Sequence, residues 1–299
     1  MRNRNGVETG NLLNSGTTFS PPMHQPVTLA LANQKGGVGK TTTAVNLSAT
    51  LARRGMHILL IDMDPQGNAT SSLGVDKRTL DHSVYDLLLN DGDASSLVIA
   101  DVRENLDLIP ANPSLAGAEV ELVDLDERSY RLRDALDEIS MRYELIIIDC
   151  PPSLSLLTIN ALCSADGVIV PIQCEYLALE GLGQLISTID LVKKSLNPHL
   201  DVIGVLMTMY DARTRLSAHV VEEVRRFFPQ RIFRTIVPRS VRLAEAPSYG
   251  QAIGEYDPGS RGAAAYEVFA DELLHRLNIV PPLEISAAAL ADENVVPAH

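Results

Sequence analysis

The chain has no tryptophan and only 4% aromatic residues, so a core for its 299 residues must come from Val, Ile, Leu and Ala. Cysteine is scarce. Cys150, Cys163 and Cys174 form no C-x-x-C pair, and an odd number argues against both a disulfide framework and a thiolate metal site. No run approaches the roughly 18 to 20 apolar residues that a membrane span needs. The opening stretch, MRNRNGVETGNLLNSGTTFSPPMHQP, has two arginines but no apolar core of the signal-peptide kind. A soluble, cytoplasmic protein is expected. Basic charge is also in deficit: the net charge of −13 argues against general stickiness to nucleic acid, which leaves charge distribution to decide.

What the chain does have is alternation. VTLALAN (Val27–Asn33), HILLID (His57–Asp62), ENLDLIP (Glu104–Pro110), ELIIID (Glu144–Asp149), GVIVPI (Gly167–Ile172), DVIGVLMTM (Asp201–Met209) and RIFRTIVP (Arg231–Pro238) read as strands. Several are near-continuous apolar runs, as in parallel strands buried on both faces. Helical patterns lie between them, among them Thr41–Arg54, Ser129–Met141, Leu179–Leu196, Ser217–Phe228 and Gly262–Leu277. The expected fold is α/β: a doubly wound, mainly parallel sheet with helices on both faces. Its domain spans residues 27–278, between a polar tail at 1–26 and an acidic one at 279–299, both expected to be flexible.

The first strand runs into Gln34-Lys35-Gly36-Gly37-Val38-Gly39-Lys40-Thr41-Thr42. Gly39-Lys40-Thr41 fits the end of the phosphate-loop pattern G-x-x-x-x-G-K-[ST], although Gln34 replaces its first glycine. Glycines at 36, 37 and 39 let backbone N–H groups, with that of Val38, turn toward phosphate oxygens, and the next helix adds its positive end. Lys40 can reach the β- and γ-phosphates, and the Thr41 hydroxyl can ligate Mg²⁺. Lys35 is an additional cation within the loop, and on spacing alone it is either a group that offsets charge on a transferred phosphoryl group across a two-fold dimer or a solvated surface lysine.

Carboxylates complete the pattern. Asp62 and Asp64 stand at the end of the second strand and Asp149 at the end of a fully apolar one, before Pro65 and Pro151-Pro152. An acid emerging beside the phosphate loop can hold Mg²⁺ directly or through water, which fits Asp62 and Asp149. Asp64, just beyond its strand, suits orientation of the attacking water.

ANQKGGVGKTT, with its lysine at 35, resembles the deviant phosphate loop of the ParA/MinD group of ATPases. DMDPQGNAT, PANPSLAGAEVEL, IIIDCPPSL, CEYLALEGL, TMYDARTRL and PRSVRLAEAPS resemble the chromosomal ParA (Soj) branch, in order over roughly residues 27–277. The resemblance implies an ATP- and Mg²⁺-dependent homodimer in which Lys35 reaches the partner's phosphates and Asp64 supports weak, partner-stimulated hydrolysis. It implies that the dimer coats nucleoid DNA without sequence preference and is released by a ParB-type centromere-binding protein. It also implies adenine contacts near Met209, Pro238 and Arg239, with Ser240 where relatives commonly carry asparagine, and DNA contacts at Arg213 and Arg242.

From Ala212 to Arg242 eight arginines face only Glu222 and Glu223, a local +6 on an acidic chain, as backbone contact to DNA requires. A MinD-like, membrane-associated positioning ATPase is the alternative. It would call for a basic amphipathic C-terminal helix, whereas the chain closes on ALADENVVPAH, so no membrane partner is expected. An iron–sulfur reductase would require cluster-bridging cysteines, and a DNA-reading N-terminal domain more chain than precedes Val27.

Overall fold

The computed structural model describes residues 26–89, 93–175 and 178–281. The two expected tails lie outside the described residues, apart from Pro26 and residues 279–281. Eight strands form one sheet: β1 (Val27–Leu31), β2 (Ile58–Asp62), β3 (Ile99–Arg103), β4 (Leu106–Ile109), β5 (Leu145–Asp149), β6 (Gly167–Gln173), β7 (Asp201–Tyr210) and β8 (Ile232–Pro238). Their order is β3-β4-β2-β5-β1-β6-β7-β8, parallel throughout except where β3 pairs antiparallel with β4.

Strand β3 is absent from the sequence-based reading, for a physical reason. Ile-Ala-Asp-Val-Arg is short and half polar and leaves Ala100 and Asp101 exposed, so it carries no apolar run. It is held by a hairpin that turns through Asn105, whose φ is 60°. The central strands are buried on both faces. In β1, Leu29 and Leu31 enter the core shared with helices Lys40–Ala52 and Arg261–Leu277, while Ala30, and Ala32 just after the strand, enter the opposite one. That opposite core takes Leu157 and Ala161 from helix Leu156–Ser164, Leu182 and Leu185 from helix Ala178–Ser195, and Val220 and Val224 from helix Arg215–Phe227. Alternation at period two into two apolar layers is why these strands read as unbroken hydrophobic runs.

Helix boundaries differ slightly from the pattern. The helix expected at Thr41–Arg54 spans Lys40–Ala52, and the segment 129–141 forms a short helix, Arg131–Leu136, followed by a 3₁₀ turn at Ser140–Arg142. Helix Arg261–Leu277 begins where the Ser260 hydroxyl accepts from the Ala263 N–H and stops where Asn278 turns left-handed at φ 54°. Its Glu272 accepts hydrogen bonds from the N–H groups of Arg234 and Thr235, which covers part of the free edge of β8.

The chain leaves β1 for β2, builds outward to β3 and β4, returns to insert β5 beside β1, then continues outward through β6, β7 and β8. The direction of travel reverses around β1, so a crevice opens at the carboxyl ends of β1, β2 and β5. That edge carries the phosphate-loop motif and all three candidate aspartates.

Candidate functional site: a crevice at the strand ends

The loop after β1 is turned by Gly37 (φ 74°) and Gly39 (φ 89°), conformations that strongly favour glycine. Gly39 also caps helix Lys40–Ala52, with no side chain bonded to the first turn, so the leading N–H groups face the loop unclaimed by a capping side chain. The loop is anchored from below. The Thr208 hydroxyl donates to the Val38 carbonyl at 2.8 Å, the Asn33 amide donates to the Pro171 carbonyl at 2.8 Å, and Asn33 Oδ1 accepts from the Lys35 N–H at 3.0 Å. Thr41 and Thr42 open the helix, half-buried.

Lys40 is buried, and its ammonium donates to the Lys35 carbonyl at 3.3 Å, curling back over the loop. Burial lowers its pKa, opposed by the nearby carboxylates of Asp149 and Asp64. Lys35 itself is exposed and turns the other way, its Nζ 2.6 Å from Oε2 of Glu175 beyond β6.

Asp62 and Asp149 are register partners on β2 and β5, and both are fully buried. Their surroundings differ. Asp62 Oδ2 accepts from the Thr70 N–H at 2.8 Å and its hydroxyl at 2.7 Å, while Oδ1 accepts from the Asp64 N–H at 3.2 Å. Burial pushes Asp62 up to about 6, against the pull of those hydrogen bonds. Among the described residues, neither carboxylate oxygen of Asp149 has a hydrogen-bond partner. Burial and then the charge of Asp62 hold its carboxyl well above the ordinary range. The Thr41 hydroxyl lies close enough to favour the ionised form without bonding geometry, and Lys40 acts in the same direction. A fully buried, unpartnered carboxylate beside a threonine hydroxyl is a costly arrangement that a hard divalent cation would relieve, so these residues fit Mg²⁺. Asp64 lies beyond the end of β2, nearly buried, with Oδ1 accepting from the Gln66 N–H at 2.9 Å.

Farther along the edge, Met209 adopts φ 52° where the β7–β8 register shifts between Met207 and Tyr210. Pro238 ends β8 beside Tyr210, and the Arg239 N–H donates to the Tyr210 carbonyl at 2.9 Å. Arg213 and Arg242 follow β7 and β8 at this same edge and are exposed. The eight arginines of the basic segment do not share one end: Arg225 and Arg226 close the helix that runs back from Arg215, and Arg231 precedes β8. A strand of that length separates the two groups by about 20 Å. Thr70, Thr208 and Glu175 were not singled out by sequence reasoning. Each belongs to the site through a tertiary contact that no spacing rule announces.

A glycine-turned loop between a buried parallel strand and a helix N-terminus, with acids on the neighbouring strands, is the construction of the P-loop nucleotide-binding proteins, and this chain is one of them. An AAA domain family model matches residues 27–202. The sporulation initiation inhibitor protein Soj of Bacillus subtilis is 55% identical over 245 residues, 82% of this chain and 97% of that protein. The chromosome partitioning protein ParA of Myxococcus xanthus is 53% identical over 248 residues, 83% of this chain and 88% of that protein. The chain belongs to the ParA/Soj family of chromosome-partitioning ATPases. Among solved structures, cobyrinic acid a,c-diamide synthase from Mycobacterium smegmatis, with bound ATP analogue and magnesium, is 42% identical with a TM-score of 0.74, over 84% of this chain and 95% of that one. Among the described residues, no helix is long and apolar enough to cross a membrane.

Proposed function

We propose that this chain binds ATP with Mg²⁺, closes on it as a homodimer, holds nucleoid DNA without sequence preference in that state, and hydrolyses ATP to let go. The observation that carries the reading is the unpartnered Asp149 carboxylate beside Thr41 and Lys40, an arrangement suited to a metal-bound polyphosphate. The ATP analogue and magnesium in the mycobacterial relative support it.

In this reading the N–H groups of Gly36, Gly37, Val38 and Gly39 cradle the phosphates, and those of Thr41 and Thr42 add the helix end. Lys40 swings from the Lys35 carbonyl to the β- and γ-phosphates. Thr41 and Asp149 would hold Mg²⁺, and Asp62, its oxygens engaged by Thr70 and Asp64, would support the metal side. Mg²⁺ held there would supply positive charge that offsets the charge of the phosphates. Asp64 accepts a hydrogen bond from a water whose oxygen bonds to the γ-phosphorus as the bridging bond to ADP breaks. Lys35 leaves Glu175 and reaches the partner subunit's nucleotide. Met209, Pro238 and Arg239 border the adenine, while Arg213 and Arg242 meet DNA phosphates.

A ParB-type centromere-binding protein is the partner that raises hydrolysis and ends DNA binding. The test is co-sedimentation with double-stranded DNA in ATP, ADP or no nucleotide, with and without that protein. Retention only with ATP, reversed by the partner, is expected. A chain that stays a single subunit in saturating ATP and Mg²⁺ would overturn the reading.

A further inference from the structure

The two arginines expected to meet DNA are not free. Arg213, with 86% of its side chain exposed, forms a fork on Asp211: Nε lies 2.9 Å from Oδ1 and Nη2 2.7 Å from Oδ2. The Arg213 backbone N–H donates to the same Oδ1 at 3.0 Å, closing a tight turn at the end of β7. Arg242 donates through Nη1 to Oε2 of Glu245 at 3.0 Å, and its Nε lies 3.4 Å from Oδ2 of Asp257. The Tyr256 hydroxyl donates to the same Glu245 oxygen at 3.2 Å, which fixes that carboxylate in place. By contrast Arg215, Arg225, Arg226, Arg234 and Arg239 form no ion pair among the described residues. All three carboxylates fall outside the basic segment Ala212–Arg242, so a charge count over that window misses them.

We propose that Asp211 and Glu245, assisted by Asp257, are competitors that a DNA phosphate must displace, and that they set the affinity of this surface for DNA. The inference rests on the reading that Arg213 and Arg242 are the DNA contacts. An exposed guanidinium–carboxylate pair shifts an equilibrium only a few-fold, since water and salt screen it. A carboxylate left within a few ångströms of an incoming phosphate adds repulsion of like sign. With two held arginines per subunit, the small factors multiply. A single subunit is kept off DNA, while a dimer, with twice the contacts, still binds. The carboxylates thereby lower affinity in both states, and only the dimer still retains DNA.

The test compares Asp211→Asn, Glu245→Gln and the double variant in equilibrium binding to a fluorescent double-stranded DNA, with ATP and with ADP, across a salt series. Asparagine at 211 keeps the acceptor for the Arg213 N–H, and glutamine at 245 keeps one for Tyr256, so the local turns are retained. Each single variant is expected to bind about threefold tighter, and the double about tenfold tighter per subunit, with DNA retention now detectable in ADP. The gain should be largest at low salt and shrink as salt screens the carboxylates, so log affinity should fall more steeply with log salt in the variants than in the parent. Asp134→Asn removes the same charge from a carboxylate held by Arg133 on a helix that packs elsewhere, and is expected to change nothing. Equal tightening by Asp134→Asn, or unchanged or weaker binding by the double variant, would overturn the proposal. Arg213→Ala with Arg242→Ala separates the two levels. Retained DNA binding there refutes the contact assignment itself, whereas lost binding without a gain from the carboxylate variants refutes only this inference.

Discussion

Asp62 and Asp149 stand side by side on adjacent parallel strands, equally buried, yet one has its oxygens bonded and the other has none. Two aspartates indistinguishable by motif are thereby assigned different work: Asp62 organises the turn through Asp64 and Thr70, and Asp149 is left available to a cation.

Asp149→Asn should make the nucleotide-free protein more stable at neutral pH while abolishing stabilisation by Mg²⁺-ATP. The folded pKa of Asp149 is raised, so only well below the ordinary aspartate value of 3.8 do both states carry the proton and no penalty exists. As pH rises, the unfolded chain releases its proton first and stability falls. Asp62, raised to about 6, contributes in the same direction up to that pH. The advantage of the variant over the parent should therefore grow from pH 4 towards 7 in urea titrations without Mg²⁺. A constant difference would remove Asp149 as the source.

Thr70→Val should destabilise the fold by about 1–3 kcal/mol, because the hydroxyl serves Asp62 and also accepts from the Ala111 N–H at 3.0 Å. Urea midpoints at unchanged slope would measure it, and a neutral result would mean water replaces the hydroxyl.

Lys40→Ala should abolish ATP binding, measured with a fluorescent analogue; tight binding in the variant would refute the role given to the loop. Asp64→Ala should bind ATP and dimerise but turn over roughly a hundredfold more slowly. Normal turnover would exclude Asp64 from hydrolysis.

Lys35 points away from its own loop toward Glu175, so Lys35→Ala should leave ATP binding by the single subunit intact and prevent the ATP-dependent dimer. Analytical ultracentrifugation with and without nucleotide tests this; weakened binding in the single subunit would mean that Lys35 serves its own phosphates.

If Arg213 and Arg242 each make one phosphate contact per subunit, a dimer engages four phosphates, and log affinity should fall with log salt at a slope of about −3.6. A much steeper slope would bring in the second arginine group around Arg225 and Arg226, at the far end of β8.

The loop, the strand-end acids and the layered α/β architecture were legible because each follows from short-range rules. Gly37 and Gly39 need positive φ, apolar runs announce strands buried on both faces, and an acid closing such a run must emerge at the strand's carboxyl end. Strand β3 was not legible, because its polar pentapeptide becomes a strand only when β4 offers it an edge.

By itself, the sequence of this protein determined which residue types stand at the carboxyl edge and which loop turns toward phosphate. Tertiary structure alone decided their pairing. Thr70 takes up Asp62 and leaves Asp149 bare, Glu175 meets Lys35 across 140 residues, and Asp257 comes within reach of Arg242, whereas Asp211 and Glu245 meet their arginines as near neighbours in sequence. The reason is physical: a charge's partner is set by distance in space, and most of those distances exist only once the sheet has brought the strand ends together.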